Sequence, residues 1–252
     1  MNLLIIGSGA REHTFAWKIY NSSHDVNIFV TNANPGITPF ASSVKIDITN
    51  FSSIKDCIIL HSIEIVLIGP EIPLINGLSD FIINDADLIN RVKVIGPSKR
   101  GSMLEGSKEF AKEFMKKYGI PTASFKSFDK NNYDEGVEFI NKNNSPYVLK
   151  ADGPAAGKGV IIVNEKVDAV NNLREMLLGS KFGKSSEKVV IEEFLGGIEM
   201  SCFVLFDGVN YKILPYAKDY KRIGEADKGL NTGGMGSISP VDFLDENLKN
   251  KI

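Results

Sequence analysis

At 252 residues, with 43% hydrophobic and 24% charged side chains, the chain holds enough material for one large domain or two ordinary ones around a real core. Lys+Arg 29 against Asp+Glu 31 leaves a formal charge of -2, which excludes a global basic field for nucleic acid or an anionic membrane, so anionic partners must meet local sites. Cys57 and Cys202 lie far apart in apolar runs, which argues against a disulfide framework or a zinc cluster. With no basic leader before Gly7 and no apolar run of bilayer length, the expectation is a cytoplasmic α/β protein.

In chain order, Leu3–Ile6 reads as a buried strand, followed by a Gly turn and a helix from Arg11 to Tyr20. Val26–Val30, Ile63–Ile68 and Val92–Ile95 read as further strands. Their exits carry loop chemistry: Asn32–Gly36, Gly69-Pro70-Glu71 and Gly96-Pro97-Ser98. Continuous apolar strands between helices predict a doubly wound parallel sheet, whose ligands gather at the carboxyl ends of the strands. A different pattern follows. Ser107–Lys117 has helical spacing and stops at Gly119-Ile120-Pro121. Pro146–Lys150 and Val160–Val163 read as strands joined by a Gly-rich turn, Val167–Leu178 as a helix, and Lys188–Ile191 as a strand. Together they predict a small antiparallel α+β unit. Met200–Phe206 and Tyr211–Leu214 read as strands joined through Asp207-Gly208, a hairpin signal. The chain then reads as loop-rich through Gly236, and Asp242–Ile252 as the opening turns of a helix.

Three segments could carry chemistry. Gly7-Ser8-Gly9-Ala10-Arg11-Glu12-His13 leaves a strand and opens a helix, so it points backbone N–H groups at an anion. The dinucleotide fingerprint needs Gly where Glu12 stands, and a carboxylate there repels a pyrophosphate. Arg11 favours a single phosphate, and a tight turn without a ligand is the alternative. Lys150–Val160 fails as a Walker A loop, because Gly153 is too close to Gly157 and Gly159 occupies the hydroxyl position. Its glycines and alanines let a hairpin lie over phosphates that Lys150 and Lys158 neutralise; a flexible hairpin with a solvated lysine is equally compatible. Finally, the extended backbone after Ile191 offers a C=O and an N–H to an adenine edge, and Glu199 can accept ribose hydroxyls. Acidic residues at a strand exit are otherwise simply solvated.

The order of Lys108 on a helix, Lys150 on a strand, a Gly-rich flap and then Glu192 with Glu199 is characteristic of ATP-grasp enzymes. The chain resembles the phosphoribosylamine–glycine ligase (glycinamide ribonucleotide synthetase) family over essentially its whole length. The resemblance is carried by Gly7–His13, Ile68-Gly69-Pro70-Glu71 with Pro73-Leu74, Gly96-Pro97-Ser98 and Leu104–Lys108. It continues in Lys150–Val160, Ile191–Leu195, Lys221-Arg222 and Asn231–Gly236. Ala10, Pro154 and Tyr220 depart from the usual Gly, Leu and His.

The resemblance implies an N-terminal α/β domain (1-104), an ATP-grasp small lobe with its lead-in helix (105-194) and the start of a C-terminal ATP-grasp lobe (195-252). It implies ATP-dependent joining of glycine to 5-phosphoribosylamine through glycyl phosphate, in purine biosynthesis. Lys108, Lys150, Gly157, Lys158 and Gly159 then address the ATP phosphates; Glu192, Glu193, Phe194 and Leu195 the adenine side; and Glu199 the ribose. Gly9, Arg11, Glu12, Pro70, Glu71, Asp219, Lys221, Arg222, Gly233 and Gly234 form the phosphoribosylamine site, and Lys150, Lys158 and Arg222 are the expected catalytic residues. Mg2+ or Mn2+ is implied, with metal ligands expected beyond residue 252. The expected partners are small molecules and other purine-pathway domains, with neither nucleic acid nor membrane. A non-catalytic nucleotide- or phosphoribosylamine-binding fragment is the rival from another class. A carboxylase-type ATP-grasp ligase is a third reading, which lacks the Gly7–His13 and Asn231–Gly236 motifs.

Overall fold

The alternation of apolar and amphipathic segments in the first hundred residues becomes a five-stranded parallel sheet in the computed structural model, which describes residues 1–155, 157–226 and 228–252 and only the backbone of Asn231. The elements in order are β1 (Asn2–Ile6), α1 (Ala10–Tyr20), β2 (Asn27–Thr31), β3 (Ser42–Val44), α2 (Phe51–Leu60), β4 (Ile65–Ile68), α3 (Glu71–Asn76), α4 (Leu78–Asn84), β5 (Lys93–Ile95) and α5 (Lys99–Gly106). The strand order is β3-β2-β1-β4-β5, with every neighbouring pair parallel. Alternate residues of β1 feed opposite faces. Leu4 and Ile6 pack with Ile54 and Ile58 of α2 and with Leu78 and Ile82 of α4, whereas Leu3 and Ile5 pack with Ala16 of α1, Ile28 and Val30. Burial on both faces is why the strands read as continuous apolar runs. The short β3 and the helix α2, which Asn50 caps by accepting from Ser53 N at 3.1 Å, lie where the apolar pattern is too short to announce them.

The second sheet follows α6 (Lys108–Lys117) and comprises β6 (Phe125–Asp129), β7 (Tyr147–Ala151), β8 (Val160–Val163) and β9 (Lys188–Glu193), with α7 (Tyr133–Lys142) and α8 (Lys166–Leu177) between strands. Its order is β6-β9-β7-β8, antiparallel throughout. Leu149, Ala151, Val189 and Ile191 face the core built with Leu173 and Met176 of α8 and Ile140 of α7. The strand period of two then puts Lys150 and Glu192 on the opposite face. Ser107 is the cap of α6 rather than its first residue: its Oγ accepts from Phe110 N at 3.1 Å. β6 and α7 are additions to the sequence reading.

Met1–Glu193 form one compact unit, and Phe194–Ile252 a second. In the second unit, β10 (Val204–Phe206) and β11 (Tyr211–Ile213) form the expected hairpin. Its loop is Asp207–Asn210, with Asp207 Oδ1 accepting from Val209 N at 2.9 Å and Asn210 N at 2.6 Å. Val204, Leu205, Phe206 and Tyr211 are all more than half exposed. The stretch expected to be loop-rich through Gly236 is instead an antiparallel pair, β12 (Lys218–Gly224) with β13 (Lys228–Ile238). Gly229, Gly234 and Gly236 read as loop signals, but here they take positive φ within a bulged strand, a place where glycine is favoured. The helix expected from Asp242 is the single turn α9 (Glu246–Lys249), capped by Asp245 Oδ1 accepting from Leu248 N at 2.8 Å.

Candidate active site

The parallel sheet reverses its winding between β1 and β4, and the loops leaving these two strands hold the first cluster. Gly9 precedes α1; Pro70 and Glu71 open α3. Arg11 Nη2 lies 3.7 Å from Glu71 Oε2, both on the surface. Glu12 is different, being only 4% exposed. Its Oε2 accepts from Gly9 N at 2.6 Å, while Oε1 is buried without a hydrogen-bond partner. Gly7, Gly9 and Gly69 surround it, and a Cβ on Gly69 would lie 1.9 Å from Glu12 Oε1. The carboxylate that argues against a pyrophosphate thus packs beneath the loops and braces them. Two further residues complete this cluster. Thr31 Oγ1 accepts from Gly7 N at 2.7 Å, and Asn34 Nδ2 donates to Ser8 O at 2.7 Å. Asn34 lies in a loop flagged as a strand exit, but only the folded sheet brings it to Ser8.

The second cluster lies on the face of the antiparallel sheet opposite its helices. Lys150 Nζ donates to Glu192 Oε2 at 2.9 Å, and Lys112 Nζ lies 3.0 Å from the same oxygen. Glu192 is therefore no solvated acid: its side chain is 5% exposed. Lys112 was not singled out by sequence, although it sits one helical turn after Lys108 on α6 and so on the same face. Lys108 Nζ donates to the carbonyls of Gly153 at 3.2 Å and Asp152 at 3.4 Å, at the root of the Gly-rich flap. Burial pulls the Lys108 ammonium below the ordinary lysine range. Asp152 and Glu105 oppose that shift, and the like charge of Lys150 adds to it. Asp152 itself caps α6, accepting from Glu109 N at 2.8 Å and Ser107 Oγ at 2.9 Å.

The flap is anchored at its base. Ala151 N donates to Gly159 O at 2.8 Å, Gly153 N to Ser185 O at 3.1 Å, and Ser185 Oγ to Pro154 O at 2.5 Å. Gly153 and Gly159 admit no side chain without displacing Ser185 or Ala155, whereas Gly157, at φ +76, faces open space. Lys158 is exposed, and Ala156 lies outside the described residues. At the end of β9, Glu193 N donates to Ser124 O at 3.0 Å, so this N–H is not available to a purine edge. The hydrogen bond from Ser124 Oγ, at 2.6 Å, holds the Glu193 carboxyl below its usual range.

In the second unit, Asp219, Lys221 and Arg222 lie on β12, opposite the bulge that contains Gly233 and Gly234. Lys221 pairs with Glu199 and lies 3.6 Å from Asp219 Oδ2, and the Glu199 hydrogen bond raises the Lys221 ammonium above its ordinary value. Asp219 Oδ1 is buried without a hydrogen-bond partner. Arg222 Nη1 donates to Gly229 O at 3.1 Å, and Thr232 Oγ1 donates to Lys221 O at 2.8 Å and accepts from Gly234 N at 3.1 Å. Lys218 lies over the Tyr220 ring at 4.7 Å. Phe194 and Leu195, at the start of this unit, are exposed.

Among the described residues, no three His, Cys, Asp or Glu side chains gather as a metal-binding group. Cys57 and Cys202 are both free. No helix among the described residues is long and apolar enough to cross a membrane.

Residues 1–105 match the family model of the phosphoribosylglycinamide synthetase N domain, and residues 106–252 that of its ATP-grasp (A) domain. The chain is 40% identical over 252 residues to the phosphoribosylamine–glycine ligase of Caldanaerobacter subterraneus, covering 100% of this chain and 59% of that protein. It is 38% identical to a bifunctional purine biosynthetic protein of Pichia angusta, covering 100% of this chain and 32% of that one. The crystal structure of the Thermotoga maritima phosphoribosylamine–glycine ligase superposes with a TM-score of 0.78 at 34% identity, covering 96% of this chain and 56% of that chain. N5-carboxyaminoimidazole ribonucleotide synthetase of Thermus thermophilus, at 14% identity and a TM-score of 0.70, shares the fold. The chain thus spans little more than half the length of the single-function relatives.

Proposed function

Since the chain belongs to the phosphoribosylglycinamide synthetase family, we propose that it carries the nucleotide and ribose-phosphate recognition of an ATP-dependent glycine–phosphoribosylamine ligase. The observation that carries the reading is the cationic cluster on the face of the antiparallel sheet opposite α7 and α8, where Lys150 is the part-exposed member. There Lys150 and Lys112 share one oxygen of Glu192, a ratio that leaves positive charge for an anion. In the reaction, a glycine carboxylate oxygen attacks the γ-phosphorus and the bond to the β-bridging oxygen breaks, giving glycyl phosphate and ADP. The amine of phosphoribosylamine then attacks the glycyl carbon, a proton leaves the nitrogen, and phosphate departs. Such a transfer depends on positioning and charge neutralisation rather than on a protein nucleophile.

In the first unit, Lys108, Lys150 and the flap at Gly157, Lys158 and Gly159 are proposed to meet the nucleotide phosphates, with Glu192 and Glu193 toward the purine. Gly9, Arg11, Pro70 and Glu71 are proposed to take the phosphoribosyl group, with Glu12 bracing them. In the second, Phe194, Leu195 and Glu199 are proposed for the nucleoside, and Asp219, Lys221, Arg222, Gly233 and Gly234 for phosphoribosylamine. A divalent cation bound with the nucleotide would neutralise its phosphates. The three-part division at 104/105 and 194/195, a cytoplasmic location and union with other purine-pathway domains belong to the same reading.

A coupled assay for ADP release with ATP, glycine and phosphoribosylamine tests it, and ADP release that requires all three is the expected result. The second reading, binding without turnover, is favoured by the absence of a metal-binding group among the described residues. Saturable binding of nucleotide with no ADP release would establish that reading instead.

A further inference from the structure

The nucleotide reading assigns Lys150 to phosphate but leaves the role of its neighbour on α6 open. Lys112 is an unusual lysine. It is 7% exposed on a helix whose other lysines are more accessible, and its ammonium is held from two sides. On one side it lies 3.0 Å from Glu192 Oε2. On the other it donates to Thr122 Oγ1 at 2.9 Å and to Ala123 O at 3.4 Å, in the segment leading into β6. Phe125 closes a third side, its ring centroid 5.9 Å from Lys112 Nζ. Lys150 reaches the same Glu192 oxygen at 2.9 Å, but its side chain is 28% exposed against 9% for that of Lys112.

A buried carboxylate with one lysine neighbour would take the whole of that lysine's charge, because desolvated opposite charges attract far more strongly than solvated ones. Here the same oxygen is met first from inside, by an ammonium that its partners hold in place. The accessible Lys150 is left with charge to offer outward. Lys108 stands nearby with its amine tied to the flap root, and Asp152, the other acid of the cluster, is committed to capping α6. No further carboxylate is bonded to Lys112 or Lys150 among the described residues.

We propose that Lys112 is a positioning residue: by neutralising Glu192 from within the fold, it keeps the Lys150 ammonium available to a nucleotide polyphosphate. The proposal rests on the nucleotide reading of the site. Without Lys112, Glu192 and Lys150 would close into an isolated pair, and the phosphates would compete with a buried carboxylate for the same cation.

The test is titration of the full chain with the non-hydrolysable ATP analogue AMP-PNP, in the presence of Mg2+, and separately with adenosine. Lys112→Met and Lys112→Gln should each weaken AMP-PNP binding by about tenfold, the size of coupling between neighbouring charges. Adenosine affinity should stay within about twofold, since a ligand without phosphates makes no demand on Lys150. In a Glu192→Gln background the Lys112 substitution should lose its effect, and Lys112→Arg should retain most of the affinity. Lys112→Gln keeps a polar group toward Thr122 and serves if Lys112→Met does not fold. Equal loss for AMP-PNP and adenosine, an unchanged AMP-PNP affinity, or the same loss in the Glu192→Gln background would each overturn the positioning role. Lys150→Ala separates the two levels. If it binds AMP-PNP as the wild type does, or if the wild type does not bind, the nucleotide reading fails and the proposal falls with it. If it loses affinity while the Lys112 variants do not, only the positioning role fails.

Discussion

Glu12 and Gly69 are fitted to each other: the carboxylate of one occupies the space that any side chain on the other would need, with Oε1 1.9 Å from the position of a Cβ at Gly69. The contact joins the first turn of α1 to the loop after β4. Gly69→Ala must push Glu12 aside and should cost about 2 kcal/mol in urea denaturation, within the range for overpacking. The cost should shrink when Glu12→Ala is combined with it, because residues in contact are not additive. Equal costs in both backgrounds would show that the two do not interact.

Arg11 and Glu71 face each other 3.7 Å apart with exposed side chains, a geometry of little stabilising value. Arg11→Ala should therefore change stability by less than about 0.5 kcal/mol while weakening the binding of ribose 5-phosphate. Calorimetric titration beside a thermal melt separates the two effects. An unchanged ribose 5-phosphate affinity would remove Arg11 from the substrate site.

Replacing Lys150 by Ala deletes a charged hydrogen-bond donor and should weaken nucleotide binding by about 1.5–3 kcal/mol, roughly ten- to 150-fold. The same substitution leaves Glu192 with Lys112 as its remaining partner, so the fold should be retained. Circular dichroism checks the fold, and AMP-PNP titration the affinity.

Lys108 supplies a pH dependence. Burial lowers its ammonium below the ordinary 10.5, so it loses its proton earlier than a surface lysine as pH rises. Below the folded value both states are protonated and the burial penalty is present in full; between the folded and unfolded values the unfolded chain holds the extra proton, so stability rises with pH. Phosphate binding has the opposite sign, because it needs the charged form. Nucleotide affinity should fall on the alkaline side below 10.5, and Lys108→Arg should remove that fall. A flat profile for the wild type would exclude Lys108 from the phosphate contacts.

The parallel sheet was legible because its strands are buried on both faces, which leaves an unbroken apolar signature in Leu3–Ile6 and Ile65–Ile68. The antiparallel sheet was legible except at Phe125–Asp129, where polar Lys126 and Ser127 interrupt the pattern. The β12–β13 pair was hidden by its glycines, whose local signal is a turn. For the candidate site, sequence order pointed to Lys150, Glu192 and the flap, and the fold brings Lys150 Nζ within 2.9 Å of Glu192 Oε2. It could not distinguish a solvated Glu12 from one buried under Gly69, since that burial depends on a loop distant in sequence. It did not single out Lys112 either, because a lysine on an amphipathic helix ordinarily faces water. The i, i+4 spacing from Lys108 was the available signal.

The family's two sequence modules meet between residues 105 and 106, whereas the boundary of compactness falls between Glu193 and Phe194. The first of these points falls within the last turn of α5, whose final residue is Gly106, and α6 follows in the same compact unit. Gly106 is packed so closely on Ile75 that a Cβ there would come within 3.1 Å of it. The stretches matched by the two family models and the two compact units therefore divide this chain at different places. Separating the two modules at residue 105 would open an interior surface, whereas the natural seam for dissection lies after Glu193.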